Sequence, residues 1–263
     1  MAKIKVFENI KLNSPIMIVG LPGIGNIGRV AVGYLIKELA SKKFAQLYSK
    51  NFFPFVVLHK SYEIRLLKNY FHYWKARKDG QRDIIFLTGD CQSQSPDGHY
   101  EVAEAILDFV EKLGVKEIIT IGGLATGEME KNPQVYACVT DEELVKKYKS
   151  YKINFDVGKR VGYIVGAAGL IAGLAKERGM KAMCMLGETS GFPIVTDPKA
   201  AEAILNTLTA MLGIKVDMSR LEDRVKEMEK FIKKIETLQR RAVMEIAKEE
   251  QPEAKKEELR YIG

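Results

Sequence analysis

The sequence predicts a three-layer α/β/α fold with a mostly parallel sheet, followed by one long C-terminal helix. Short apolar runs ending in glycine-rich turns alternate with segments of helical periodicity, a pattern that demands crossover connections and helices on both faces of a sheet. The runs are apolar throughout rather than alternating, as strands covered on both faces must be. From Asp217 onward the chain becomes highly charged, with apolar residues at intervals of four and three.

Taken in order, IMIVG (residues 16–20) is a strand ending in a glycine-rich turn, and a helix follows from about Asn26 to Ser41. The segment from Phe44 to Trp74 is rich in β-branched and aromatic residues and is broken by Asn-Phe-Phe-Pro and Lys-Asn, which predicts short antiparallel strands or hairpins. DIIFLTG (83–89) is a buried strand; the next helix buries Val102, Ile106, Phe109, Val110 and Leu113 and stops at Gly114. EIITIGG (117–123), VYACVT (135–140) and KAMCMLGE (181–188) continue the strands. Between the last two, VGYIVGAAGLIAGLA (161–175) reads as a buried helix in which Gly162, Gly166, Gly169 and Gly173 admit a neighbouring backbone. Asp197 and Pro198 supply the N-cap and first residue of a helix that ends at Gly213.

The α/β domain therefore spans residues 1–216. An amphipathic helix follows over 217–250, opened by a Ser219/Glu222 capping box and carrying the stripe Leu221, Val225, Met228, Ile232 and Ile235. So narrow a stripe on so long a helix needs a surface to pack against, either its own domain or another subunit. Residues 251–263 are charged, begin beside Pro252, and read as a flexible tail with an apolar tip.

Composition narrows the function. With 263 residues, 46% of them apolar and 29% charged, the chain has an ordinary globular balance, so a disordered protein is excluded. Three cysteines and three histidines are scattered without metal-ligand spacing, so no metal or other cofactor is expected, and the thiols suit a reducing compartment. Lys3 and Lys5 precede polar residues rather than an apolar core, so no signal peptide is expected and the location is cytoplasmic. The most apolar stretch, 161–175, falls short of the roughly 20 residues of a membrane span. Positive charge is concentrated in residues 1–80, with 14 Lys or Arg against 4 Asp or Glu. Within that region Tyr70, Phe71, Tyr73 and Trp74 stand among basic residues, as in nucleic-acid binders, but alternating strands would bury one aromatic face as core and no RNA-binding motif accompanies them. An RNA-binding module is thus a secondary reading.

Four loops follow the predicted parallel strands, at the edge where open α/β sheets bind ligands. The first, LPGIGNIG, fits G-x-G-x-x-G with Gly23, Gly25 and Gly28. No acidic residue stands about 20 positions on to hold a ribose, so close helix-to-strand packing is the simpler reading. The second carries Asp90, Ser95, Asp97 and His99; the third, Gly122, Gly123 and Gly127; the fourth, Glu188, Thr189 and Ser190. These residues offer an acid, a base and a hydroxyl for a phosphorylase- or hydrolase-like enzyme, yet no pair has nucleophile-base spacing. Capping and loop hydrogen bonds explain them more economically. No catalytic residue is assigned.

GLPGIGNIG, LTGDCQSQSPDGHYEVAEAILDF, LGVKEIITIGGLATGE, IVGAAGL and MLGETSG occur in that order between Gly20 and Gly191, in a resemblance that covers about residues 16–238. Together they resemble the archaeal proteasome assembly chaperone family, homologous to the second eukaryotic proteasome assembly chaperone. The resemblance implies a fold like that of nucleoside phosphorylases and hydrolases, no enzymatic activity, and self-association as a homo-oligomer such as a tetramer or pentamer. It also implies binding to proteasome α subunits or the core particle, and pairing with a homologous chaperone. Proteasome partners of this kind dock through a terminal hydrophobic-tyrosine-any pattern. This chain ends Leu259-Arg260-Tyr261-Ile262-Gly263 and departs from that pattern, since tyrosine is third from the end and arginine precedes it; Leu259, Tyr261, Ile262 and the Gly263 carboxylate still offer an apolar anchor plus a charge.

Overall fold

The computed structural model describes residues 2–59, 62–128, 130–158, 161–191, 196–223, 225–226, 237–238, 240–241 and 244. In chain order the elements are β1 (Lys3–Val6), β2 (Ile16–Gly20), a 3-10 turn (Ile24–Asn26), α1 (Ile27–Glu38), β3 (Lys42–Tyr48), β4 (Val56–His59), β5 (Glu63–Leu66), β6 (Asn69–Trp74) and β7 (Ile84–Gly89). There follow α2 (Pro96–Lys112), β8 (Glu117–Ala125), β9 (Val135–Val139), α3 (Glu142–Tyr148), α4 (Ala167–Glu177), β10 (Lys181–Thr189) and α5 (Pro198–Leu212).

Eight strands form one sheet in the order β1-β3-β6-β7-β2-β8-β10-β9. Its centre, β7-β2-β8-β10, is parallel. The aromatic segment adds β6 and β3 antiparallel on one side, β1 closes that edge, and β9 lies antiparallel at the other. β4 and β5 stand apart as a two-stranded hairpin.

Period-two alternation explains the apolar runs. Met17 and Val19 of β2, Ile85 and Leu87 of β7, and Ala182, Cys184 and Leu186 of β10 face one layer with α2 and α4. Their neighbours Ile16, Ile18, Ile84, Phe86, Met183 and Met185 face the other, with α1 and α5. Each strand thus feeds two cores, and most of the aromatic segment is structural: Phe71, Tyr73 and Trp74 are buried, and Phe71 meets Phe109 of α2 edge-on at 5.0 Å between centroids.

Three helix ends follow the sequence closely. Asp197 accepts from the Ala200 amide at 3.0 Å to cap α5, and Gly213 closes it in a left-handed conformation. Ser95 likewise caps α2, accepting from Gly98 N at 3.1 Å. Elsewhere the structure differs. The 161–175 run is helical only from Ala167, because Gly166 adopts φ 87° and breaks the helix there; 161–165 is a loop whose Tyr163 and Val165 are about four-fifths exposed. Gly162 and Gly173 have open space around them, so they are not packing devices, whereas a Cβ on Gly169 would lie 2.7 Å from the Ile164 carbonyl oxygen. At 217–219, the observed hydrogen bond runs from Ser219 N to Asp217 Oδ1 at 2.9 Å, an Asx turn in place of the expected capping box. Edge strand β1 and helix α3 carry weak apolar periodicity and are additions to the sequence reading.

At the N-terminal ends of the parallel strands, buried Glu117 accepts from Arg82 (2.7 Å), Lys147 (2.8 Å) and the Tyr148 hydroxyl (2.5 Å). Burial pulls its carboxyl upward, but the hydrogen bonds from Lys147 and Tyr148 and the nearby cations outweigh that and hold it below the ordinary carboxylate range.

Candidate functional site

The C-terminal ends of β2, β8 and β10 open into a crevice of about 410 Å³. Its floor is built by glycine. A Cβ on Gly20 would sit 2.0 Å from the Gly28 carbonyl oxygen, one on Gly28 would sit 2.6 Å from that of Ile121, and one on Gly123 would sit 2.6 Å from that of Ile24. The start of α1 is therefore pressed directly onto β2 and β8. Gly25 (φ 64°) and Asn26 (φ 50°) make the left-handed turn that allows this, and Asp197 N donates to Gly25 O at 3.0 Å, tying the cap of α5 to it. Of the motif glycines, Gly25 serves the turn and Gly28 the close approach, while Gly23 is simply extended. Gly122 lines the crevice beside Leu186; Gly127 (φ 90°) turns in open space after β8.

The lining side chains are mostly apolar, among them Leu21, Ile24, Ile121, Leu124, Ile164 and Leu186, with Tyr163 beside them. Its one amide side chain, Gln92, is committed on both atoms: Nε2 donates to Pro22 O at 2.5 Å and Oε1 accepts from Ala167 N at 2.8 Å. Gln92 thus fastens the β2 turn to the first turn of α4. No feature of its sequence surroundings distinguishes this glutamine, so its role emerges only from tertiary structure.

The candidate acid-base residues are separated rather than gathered. Asp90 is buried against the hairpin: it pairs with Arg65 through both oxygens, accepts from Lys68 N at 3.0 Å, and its own amide donates to Lys68 O at 3.0 Å. Arg65 also donates to the Tyr70 hydroxyl at 2.6 Å. Burial, and then the Asp90 charge, push Tyr70 up to about 12, and the same two causes push the Cys91 thiol up to about 12. Glu188 is buried at the end of β10, where its carboxylate accepts from Gln134 N at 2.9 Å and its amide donates to Gln134 O at 3.1 Å. His99 lies on α2 beside a groove against α4, and burial lowers its pKa. Asp90 therefore holds the hairpin, and Glu188 holds the approach to β9. Both act as loop fasteners.

Of the C-terminal stripe, Leu221 and Val225 are buried in the layer of α1 and α5, and the Tyr34 hydroxyl of α1 donates to Asp217 O just before them. The helix begins docked on its own domain. Met228, Ile232 and Ile235, and the tail residues Leu259, Tyr261, Ile262 and Gly263, lie outside the described residues. No helix among the described residues is long and apolar enough to cross a membrane.

Comparison with known proteins places this architecture. Residues 17–236 match the sequence model of the PAC2 family. An uncharacterized protein of Methanocaldococcus jannaschii is 35% identical over 261 residues, covering 99% of this chain and 96% of that protein. Pyrococcus furiosus PbaB, described as an archaeal proteasome activator, superposes with a TM-score of 0.79 at 44% identity, covering 89% of this chain and 98% of that one. Pyrococcus furiosus PbaA, described as an archaeal homolog of proteasome-assembly chaperone, superposes with a TM-score of 0.72 at 24% identity, covering 89% and 96%.

Proposed function

Because this chain belongs to the PAC2 family, we propose that it is a non-enzymatic proteasome assembly chaperone or proteasome-binding protein that contacts α subunits or the α ring as a homo-oligomer in the cytoplasm. The observation that carries the reading is the match to PbaB, an archaeal proteasome activator, at 44% identity over nearly all of that chain. The strand-end chemistry supports it. Asp90 and Glu188 are taken up by loop hydrogen bonds, and the described lining of the crevice, aliphatic side chains with Tyr163 and a doubly bonded glutamine, offers no nucleophile-base pair.

In this reading the tail supplies the anchor. A single short tail loses chain entropy on docking and binds weakly, whereas several tails on one oligomer gain avidity of roughly 10² or more when their spacing fits the ring.

The test is capture of purified core particle and of isolated α subunits by the full chain at low salt. Capture is expected; failure of both removes the proposal. Deleting Leu259–Gly263 is expected to leave mass and helicity intact and weaken capture, with Tyr261→Ala reproducing most of the loss. Undiminished capture would assign docking to the domain instead. As a control on chemistry, a nucleoside phosphorolysis or hydrolysis activity that disappears in Asp90→Asn/His99→Ala/Glu188→Gln would overturn the non-enzymatic reading.

A further inference from the structure

The β4–β5 hairpin is the least explained surface of the molecule. Its register pairs Val56 with Leu66, Val57 with Arg65 and Leu58 with Ile64. Directly opposed residues share a face, so Val56, Leu58, Ile64 and Leu66 lie together on one side, and Val57 and Arg65 lie on the other.

The inner side is firmly held. Val57 is buried in the core beside Phe52 and Leu67, and Arg65 is paired with buried Asp90 and bonded to Tyr70. A free two-stranded hairpin is only marginally stable in water, so these anchors fix its orientation. The outer side is left in solvent: Ile64 is 69% exposed, Leu58 56%, Val56 and Leu66 more than two-fifths, and Tyr62 at the adjoining turn 82%. Four aliphatic side chains and a tyrosine in one place form a patch of several hundred Å², the scale that marks an interaction surface.

We propose that this outer face is a contact with a second copy of the same chain, the two hairpin faces apposed about a two-fold axis. The inference rests on the homo-oligomer reading above and names the surface it uses. Two arguments select a second copy. First, the area suffices: a patch of about 500 Å² on each copy buries about 1,000 Å² in total, the threshold for a specific interface, and a two-fold contact needs one self-complementary patch. Secondly, the charge pattern suits self-pairing. Residues 1–80 carry 14 basic against 4 acidic side chains, so most of this wing would repel its own copy or favour an acidic partner. Among the described residues, the outer face and its turn contribute Val56, Leu58, Tyr62, Ile64 and Leu66, and Arg65 points its charge inward to Asp90. The described residues of two identical faces therefore meet without opposed charges.

This predicts a salt dependence opposite to that of a charge-driven complex. Added salt screens the repulsion between the basic surroundings and leaves apolar burial intact, so self-association should strengthen between low and physiological ionic strength.

The experiment uses the full chain and measures mass by multi-angle light scattering across concentration and salt, for wild type and for Leu58→Glu/Ile64→Glu. The variant is expected at half the wild-type mass or less, with unchanged helicity and melting temperature because both side chains are already exposed. Leu58→Ser/Ile64→Thr, which keeps strand-compatible residues, gives the same reading if the double glutamate fails to fold. Wild-type mass in a folded variant would overturn this proposal and leave the homo-oligomer reading standing. Unchanged mass with loss of core-particle capture would assign the face to the proteasome and likewise overturn it. A wild type that is monomeric at every concentration would remove both readings.

Discussion

The strand-end crevice and the outer face of the β4–β5 hairpin are both apolar, yet folding treats them in opposite ways. At the crevice, loops converge and are fastened: Gln92 ties the β2 turn to α4, Thr126 N donates to Thr189 O at 2.9 Å, and Glu188 holds Gln134. At the hairpin, Arg65 is fastened to Asp90 and Tyr70 on one side, while Val56, Leu58, Ile64 and Leu66 on the other are largely exposed. The difference shows where function is to be sought in a chain like this. Carboxylates and glycines at sheet ends look chemical in the sequence, but here they go into making the loops rigid. Apolar area that folding leaves open is what remains for partners.

The comparison breaks most sharply at Gly20. A Cβ there would lie 2.0 Å from the Gly28 carbonyl oxygen, a collision with backbone that no rotamer relieves. Gly20→Ala is expected to destabilise by at least about 3 kcal/mol, seen as a fall in the denaturation midpoint. If the variant unfolds like wild type, the floor of the crevice is not close-packed.

Asp90→Asn tests the other region. It removes the counter-charge of a largely buried guanidinium, an expected loss of about 2–3 kcal/mol that should fall first on the hairpin. Hydrogen exchange should show lost protection across β4 and β5 while β2 and β8 keep theirs. Uniform loss would mean that Asp90 holds the sheet instead.

Much of the fold was legible because each buried strand had to satisfy two cores, which makes runs such as IMIVG and the IIFL of β7 apolar at every position. Caps were legible for the same local reason: Ser95-Pro96 and Asp197-Pro198 place an acceptor and a preset φ side by side. The end of the 161–165 loop was not, since nothing in VGYIVGAAGL states that Gly166 would take φ 87° and interrupt a good helical pattern. Nor was the partner of Asp90, because Arg65 comes from a hairpin 25 residues earlier in the chain. Of the first loop's glycines, Gly28 packs against backbone as the packing reading expects, while Gly25 serves the turn and Gly23 is extended, because whether a given glycine meets backbone or open space depends on tertiary neighbours.

A third expectation contrasts the two ends of the sheet. Opposite the crevice, Glu117 is held below the ordinary carboxylate range when folded and returns to it when unfolded. Its contribution is thus present above the unfolded pKa and is lost as pH falls through the folded one. Glu117→Gln is expected to cost about 2 kcal/mol at neutral pH and to flatten the acid limb of the stability profile. A limb as steep as that of wild type would place the acid sensitivity elsewhere.

The smallest expected effect has the opposite sign. Gly173 lies in the exposed middle of α4, with no atom within 4 Å of where a Cβ would stand, and it is absent from the positive-φ glycines. Alanine loses less backbone freedom on folding than glycine and favours helix by about 1 kcal/mol, and here it meets nothing that must move. Gly173→Ala should therefore stabilise the chain by about 0.5–1 kcal/mol, a rise of roughly 1–4 °C for a domain of this size. It sharpens the comparison because Gly20→Ala makes the same chemical change on a backbone carbonyl. If Gly173→Ala destabilises while oligomer mass falls, a second chain approaches α4 at that point. The glycines of this helix would then be packing residues after all, in the assembly rather than in the fold.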